Sequence, residues 1–526
     1  MAATQALQAR QIENKHREER FDAVPLAVTA ALMVMAVLIH GYHPYAEDGG
    51  IYLPGIFKLI HPDLYPTWTG FVTAQTRFSL FAPTIAGLAR LTGAGVMLCV
   101  LCVYVLSIWG TLYAAWLMIS RCAKSREASL GAVTILALCI TAPAAGTSLL
   151  LMDPYVTARS ISTPCGLLAI VGALDIISEF RQTSRVHIRA LAVCAISLLV
   201  AALMHPLMAC YAAGCVVLLV CAAISNPGLR MAGFGAVAFF AIILASVVNF
   251  VAPPEPRRYA SVALSRDYWF LSTWQWYEIV GLIAPLIVLW AITRSDVILN
   301  ERGRWLAQMA ISAGITGIAV SLLFAHQTAH SYSVAMLQPL RIFQMIYIVM
   351  LLVVGTFMAA TFLQRDPVRW VAVGVVLGAL MFFVQSSTFP HSAHIELPWR
   401  SPANDWERGF VWIRDNTPED ATFALDSRYI DSPGEDAQSF RAVAERSSAP
   451  DYTKDGGIAA IDPGLTGEWA AGEAIQAGLA DDSDQQRRWK LGQAHIQWLV
   501  LQSASTTKFN CPYQNKSIKV CRVPEL

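Results

Sequence analysis

The sequence predicts a polytopic α-helical membrane protein of about eleven transmembrane helices, carrying a small C-terminal α/β domain outside the membrane. Three observations point there. Hydrophobic residues make up 55% of the chain and charged residues 14%, and mean hydropathy is +0.48, which excludes an ordinary soluble domain. The apolar residues gather in runs near the length of about 20 residues that crosses about 30 Å of hydrocarbon. Near residue 388 those runs stop, and Gly, Asp, Glu, Ser and Gln rise. A net charge of +1 gives no sign of a nucleic-acid partner.

Residues 1–23 form a polar, helix-prone tail. The first apolar run lacks a small-residue cleavage site, so it is expected to remain as a transmembrane helix. The bundle is expected over 24–387, with spans at 24–42, 95–119, 128–146, 162–180, 187–204, 206–225, 231–251, 276–293, 305–324, 337–362 and 369–387. Orientation follows Lys and Arg in the short loops. Arg10, Lys15, Arg17 and Arg20 of the tail share a side with Arg121, Lys124 and Arg126, Arg181, Arg185 and Arg189, Arg230, Arg294, Arg302 and Arg304, and Arg365 and Arg369. That side is cytoplasmic. An integral inner (plasma) membrane protein results, with the N-terminus inside and residues 388–526 outside.

The first outside loop, 43–94, is long. Its segments 51–60 and 68–88 mix apolar and aromatic residues with sparse charge, the composition of helices lying in the interface. The second outside loop holds Asp153-Pro154 and Arg159. The third, 252–275, holds Arg257, Arg258, Arg266 and an aromatic cluster that continues to Tyr277, read first as an interfacial belt and otherwise as a sugar-stacking platform. His326 and His330 precede Gln338-Pro339-Leu340-Arg341. In the C-terminal domain, Trp406–Asn416 has helical spacing, and 421–425 and 496–501 read as strands. Residues 480–492 read as a charged helix. Nine of the eleven cysteines lie in or beside apolar runs and read as packing residues. Cys511 and Cys521 stand apart in the polar tail and could close a hairpin in an oxidising compartment.

The candidate chemistry centres on His43-Pro44-Tyr45-Ala46-Glu47-Asp48-Gly49-Gly50, just beyond the first span. Two adjacent carboxylates at headgroup depth need a partner or a task, and the glycines behind them permit close approach of the backbone to a ligand. A carboxylate can take a proton from an attacking hydroxyl; arginine forks can hold a phosphate and its leaving charge. Asp48 and Glu47 are therefore the candidate catalytic acids. Asp153, Arg159, Arg266, His330 and Arg341 are the candidate substrate ligands. The plain alternatives are a loop Asp48 paired with Lys58 or Arg77, an Asp153 that caps the turn before Pro154, and an Arg341 that snorkels to the interface. His326 and His330 are spaced i, i+4 with no acid between them, which favours a structural or substrate-contact role over a metal site.

This arrangement resembles the C-type (GT-C) membrane glycosyltransferases. Glu47-Asp48 follows the first helix, where that superfamily carries its acidic motif; the first loop looks interfacial; and Asp153 lies in the second outside loop. Trp412-Ile413-Arg414-Asp415-Asn416-Thr417-Pro418-Glu419-Asp420-Ala421 is similar to the helix, TP(E/K)DA, strand lead-in of many such extracytoplasmic domains. The resemblance implies sugar transfer from a polyprenyl-phosphate donor to an acceptor at the outer face, with Asp48 as general base and membrane lipids as surroundings. A divalent metal at Asp48 and Asp153 is left open and is not predicted. No WWD-type oligosaccharyltransferase signature is present. A transporter or flippase of a lipid-linked substrate, or a non-catalytic envelope-assembly scaffold, are the competing functions. The transporter is disfavoured because the ionisable residues collect at one membrane face instead of mid-membrane.

Overall fold

The computed structural model describes residues 23–252, 255–294 and 298–525. The tail residues Arg10, Lys15, Arg17 and Arg20, used above for orientation, lie outside the described residues. The chain enters on α1 (Ala23–His40) and crosses the first loop through three helices, α2 (Gly49–Ile60), α3 (Thr69–Phe78) and α4 (Phe81–Thr92). The two segments expected to be helical in that loop are helical, and they bury Tyr52, Leu53, Ile56, Phe71 and Phe81. Then follow α5 (Val96–Cys122), α6 (Arg126–Leu138), α7 (Ala158–Thr183), α8 (Ile188–Met204), α9 (Pro206–Ala222) and α10 (Pro227–Val251). The helical region closes with α11 (Trp276–Thr293), α12 (Glu301–Phe324), α13 (Phe343–Phe357) and α14 (Pro367–Thr388).

A helix stands at each of the eleven expected places, but among the described residues eight are long and apolar enough to cross a membrane. The three exceptions have local causes. Helix α6 ends after 13 residues, because residues 139–157 fold as irregular chain: Ala145 and Ser148 take left-handed φ of 50° and 55°, and Pro143 bridges Leu150. Helices α8 and α9 have 17 residues each, about 25 Å at 1.5 Å per residue. His205 alone separates them. Pro206 takes the first position of α9, where its missing N–H costs nothing.

Beyond α14 the chain forms α15 (Asp405–Asn416), β1 (Thr422–Ala424), β2 (Ser447–Ser448), α16 (Lys454–Ile461), α17 (Thr466–Gln476), α18 (Asp484–Gln493), β3 (Trp498–Gln502), β4 (Tyr513–Gln514) and β5 (Ile518–Arg522). The five strands lie in the order β2-β1-β3-β5-β4. Strand β1 runs parallel to both β2 and β3, and β5 is antiparallel to β3 and β4. The two segments read as strands are thus β1 and β3, neighbours in the sheet. Phe410, Phe423, Phe440, Val500 and Val520 form the core under α15. Thr417 ends α15 by donating its hydroxyl to the Ile413 carbonyl at 2.7 Å. Cys511 and Cys521 are joined by a disulfide.

This C-terminal unit grips the loop after α1 through its backbone. Tyr42 donates to the His394 carbonyl and accepts from Glu396, at 3.0 and 2.9 Å. Glu47 donates to Ala437 at 3.0 Å, and Ser439 donates to Tyr45 at 3.1 Å. On the other side, His43 donates to the Pro154 carbonyl at 2.8 Å, and the Tyr104 hydroxyl holds Gly41 at 2.7 Å. The loop is thereby fixed between the bundle and the sheet domain.

Candidate active site

Asp48 is the residue preceding α2, yet its side chain makes no capping bond. It turns instead to Arg159, whose two terminal nitrogens each lie 3.1 Å from Asp48 Oδ2. One of them also donates to Asp153 Oδ2 at 2.9 Å. Arg159 reaches both because it is the second residue of α7, where Thr157 and Ser160 form a capping box that fixes the first turn. The cap of α7 is therefore Thr157, and Asp153 is free for the arginine. Lys58 and Arg77, the alternative partners for Asp48, are engaged elsewhere: Lys58 with the Pro62 and Leu64 carbonyls, Arg77 with Asp462.

The two carboxylates are unequal. The side chains of Arg159 and Asp153 are each 5% exposed, against 34% for Asp48. Burial pushes the Asp48 carboxyl up, but the charges of Arg159, Lys454 and Arg341 outweigh it and hold it below the usual range. For Asp153 burial prevails over the pull of Arg159, and the nearby Asp48 charge adds to it, so its carboxyl lies above that range. The same arginine thus leaves the two acids displaced in opposite directions from the usual carboxylate range.

Asp48 and Glu47 open onto a cavity of about 480 Å³ shared with Tyr155, Arg266, Tyr268 and Lys454. One wall is apolar: Pro143, Leu149 and Leu150 of the irregular segment face Val384 and Phe389 at the end of α14. Lys454, the first residue of α16, forms an ion pair with Glu47. Glu47 itself holds a left-handed φ of 51°, which turns the two adjacent acids toward different partners.

The remaining expected site residues are distributed as follows. Arg266 lines the cavity, but Nη1 donates to the Thr453 carbonyl at 2.7 Å and Nη2 to Tyr452 at 3.2 Å, so it also ties the third loop to the C-terminal unit. Arg341 sits in the turn before α13 and lines a separate void of about 10 Å³ with Trp269, Ser321 and Gln338; Tyr268 borders both spaces. Its Nε is buried without a hydrogen-bond partner. Asp153 and Arg159 back the cavity instead of lining it. His330 is exposed and lies outside the cluster. Gly49 and Gly50 approach protein, not open space: a Cβ on Gly50 would lie 2.2 Å from the Ser439 Cβ, and one on Gly49 3.1 Å from the Tyr155 Cβ.

Lys454 and Tyr155 escaped sequence reasoning, whereas Tyr268 belongs to the aromatic cluster read first as an interfacial belt and otherwise as a sugar-stacking platform. Lys454 lies some four hundred residues from Glu47, and a single lysine in a polar domain carries no local signal. The glycines after it did carry one: a Cβ on Gly456 would meet Arg266 Nη2 at 2.9 Å, so that turn must accept a close neighbour.

A divalent ion does not fit the acids as they stand. Arg159 occupies the position between Asp48 and Asp153 that a cation would need, and among the described residues no three His, Cys, Asp or Glu side chains gather as ligands.

No protein-family profile and no curated protein matches this chain. Among solved structures it is similar to the archaeal oligosaccharyltransferase AglB from Archaeoglobus fulgidus, determined in complex with an inhibitory peptide and a dolichol-phosphate. The TM-score is 0.47 at 10% identity, over 91% of this chain and 69% of that one. At that identity the overlap assigns no role to any residue here.

Proposed function

We propose that this protein is a membrane glycosyltransferase that moves a sugar from a polyprenyl-phosphate-linked donor to an acceptor hydroxyl at the outer face of the membrane. The observation that supports it is Asp48: an ionised, partly open carboxylate on a cavity with a cationic wall and an apolar one. The apolar wall is the end of α14, whose outer face is open, with Phe383 69% exposed. A prenyl tail can lie along that helix while its phosphate meets Lys454 and Arg266. Arg341 lines the small void beyond Tyr268 and adds its charge near Asp48.

In the transfer step Asp48 takes the acceptor hydroxyl proton as the acceptor oxygen bonds to the anomeric carbon. The bond from that carbon to the phosphate oxygen breaks, and its electron pair leaves with the polyprenyl phosphate. Lys454 and the arginines balance the leaving charge. Arg159 and Asp153 touch neither substrate; Arg159 positions Asp48 and helps keep it ionised, and Asp153 holds Arg159. No step uses a metal.

The test is Asp48→Asn, which keeps the shape and removes the proton acceptor. Turnover should fall by about 10²–10⁴-fold in purified protein assayed with a panel of polyprenyl-phosphate sugars, while donor binding stays. Near-wild-type transfer by the variant would overturn the assignment. A wild-type protein inert with every donor but moving lipid across liposomes would make it a transporter.

A further inference from the structure

A second cavity, of about 360 Å³, lies against Pro44 and Tyr45, so the same loop that presents Glu47 and Asp48 to the first cavity forms a wall of this one. Glu396 and Glu407 line it, with Arg400 and Arg414 beside them. Glu407 is 4% exposed and its Oε2 has no partner. The Glu396 side chain is 9% exposed. Its Oε1 takes bonds from Gln438 at 3.2 Å and shares one with His43 at 3.3 Å, but its Oε2 has none. Two residues that line one cavity thus each keep a buried carboxyl oxygen with no protein partner, hydrogen-bonding capacity that a ligand can use. Trp399, 67% exposed, belongs to the same lining and offers a flat apolar face.

We propose that this cavity binds a neutral carbohydrate, the glycan portion of the acceptor. Its volume is within the range of small-molecule sites, about 300–1,000 Å³. The arginines disfavour an ammonium or metal cation. Burial pushes the Glu396 carboxyl up to about 8 and that of Glu407 well above the usual range, which favours the uncharged acid, a group that both donates and accepts. Sugar hydroxyls do the same, and a sugar ring stacks on a tryptophan face. The binding stands independently; only its role as an acceptor subsite rests on the glycosyl transfer proposed above.

The experiment measures binding of maltotriose, mannotriose, chitotriose and arabinotriose to the full-length protein in nanodiscs by saturation-transfer NMR. At least one should bind. Glu407→Leu should weaken it by about tenfold or more, whereas Glu407→Gln, a neutral isostere with a donor and an acceptor, should hold it within a few-fold. Trp399→Ala, at an exposed position, should weaken it also and covers the case in which Glu407→Leu does not fold. Asp48→Asn should bind as wild type. The proposal is overturned if none of the four sugars binds, if binding survives Trp399→Ala and Glu407→Leu together, or if putrescine binds in their place and is lost in Glu407→Gln. In transfer assays, Glu407→Leu should raise the KM for a glycan acceptor and leave kcat, while Asp48→Asn lowers kcat. Sugar binding without any transfer would remove the enzymatic reading and leave this one standing.

Discussion

Arg159→Met is the substitution that most sharply tests how the site is built. It deletes the guanidinium between two acids and keeps an apolar chain of similar length. Most of the cost falls on Asp153, which is 5% exposed and, among the described residues, pairs with Arg159 alone. Asp48 is a third exposed, and water can screen it. Removing one partner of a buried pair typically costs about 3–5 kcal/mol, a change of roughly two to three and a half decades in the unfolding constant. Replacing both buried partners with apolar groups should recover most of that. Arg159→Met should therefore unfold at much lower SDS in a reversible detergent titration, and Arg159→Met with Asp153→Leu should return close to wild type. Neither variant should transfer sugar at the normal rate, because Asp48 loses its positioning contact in both. If the single and double variants are equally stable, the triad is not a buried charge cluster and this account of Asp48 fails.

Two further outcomes follow from particular contacts. The Glu396 carboxyl rises from 4.5 to about 8 on burial, so the folded state binds the extra proton. Its stabilising effect is complete below about pH 4.5 and is lost as pH rises through about 8, on the order of a few kcal/mol; Glu396→Gln should flatten that slope and be the more stable protein at pH 8 by thermal unfolding. Gly50→Ala would place a Cβ 2.2 Å from Ser439 and 2.8 Å from the Tyr45 carbonyl, and should cost about 1–3 kcal/mol in the same SDS titration. Ser439→Gly should restore part of it, since the Tyr45 contact remains, and no restoration would mean that the loop does not pack on Ser439 as described.

Some of this was legible in the sequence. Composition and run length place helices at the eleven expected positions, because desolvating apolar side chains leaves a long one-dimensional signal. They overcount the crossings where an apolar run is broken by backbone geometry: Pro143, Ala145 and Ser148 bend residues 139–157 away from the helix, although their side chains are as apolar or small as those before them. The acids Glu47 and Asp48 stood out because charge beside a span is rare. Their pairings did not: Arg159 reads from sequence as a substrate ligand and not as the partner of Asp48, and Lys454 does not stand out at all. Arg159 is 111 residues from Asp48 in sequence and Lys454 is 407 from Glu47, and no local pattern encodes a contact at that separation. The glycine pair does mark a close approach, but to protein and not to a ligand: Gly49 meets Pro44 and Tyr155, and Gly50 meets Ser439 of the sheet domain.

The approach of Gly50 to Ser439 makes the C-terminal unit part of the site. The loop 41–48 buries Tyr42, His43 and Ala46, but its backbone is held from outside. It is fixed by backbone bonds to His394, Glu396, Ala437 and Ser439 on one side and to Pro154 on the other, and Glu47 is held by Lys454. Arg266 completes the junction by holding the Tyr452 and Thr453 carbonyls just before that lysine. Moving the sheet domain would displace the loop backbone, Lys454 and the cavity wall together. The orientation of Asp48 is therefore a property of the interface between the bundle and the sheet domain. Truncation near residue 388 should leave helices α1–α14 and Arg159 in place but remove the backbone partners, from His394 to Ser439, that aim Asp48 into the cavity.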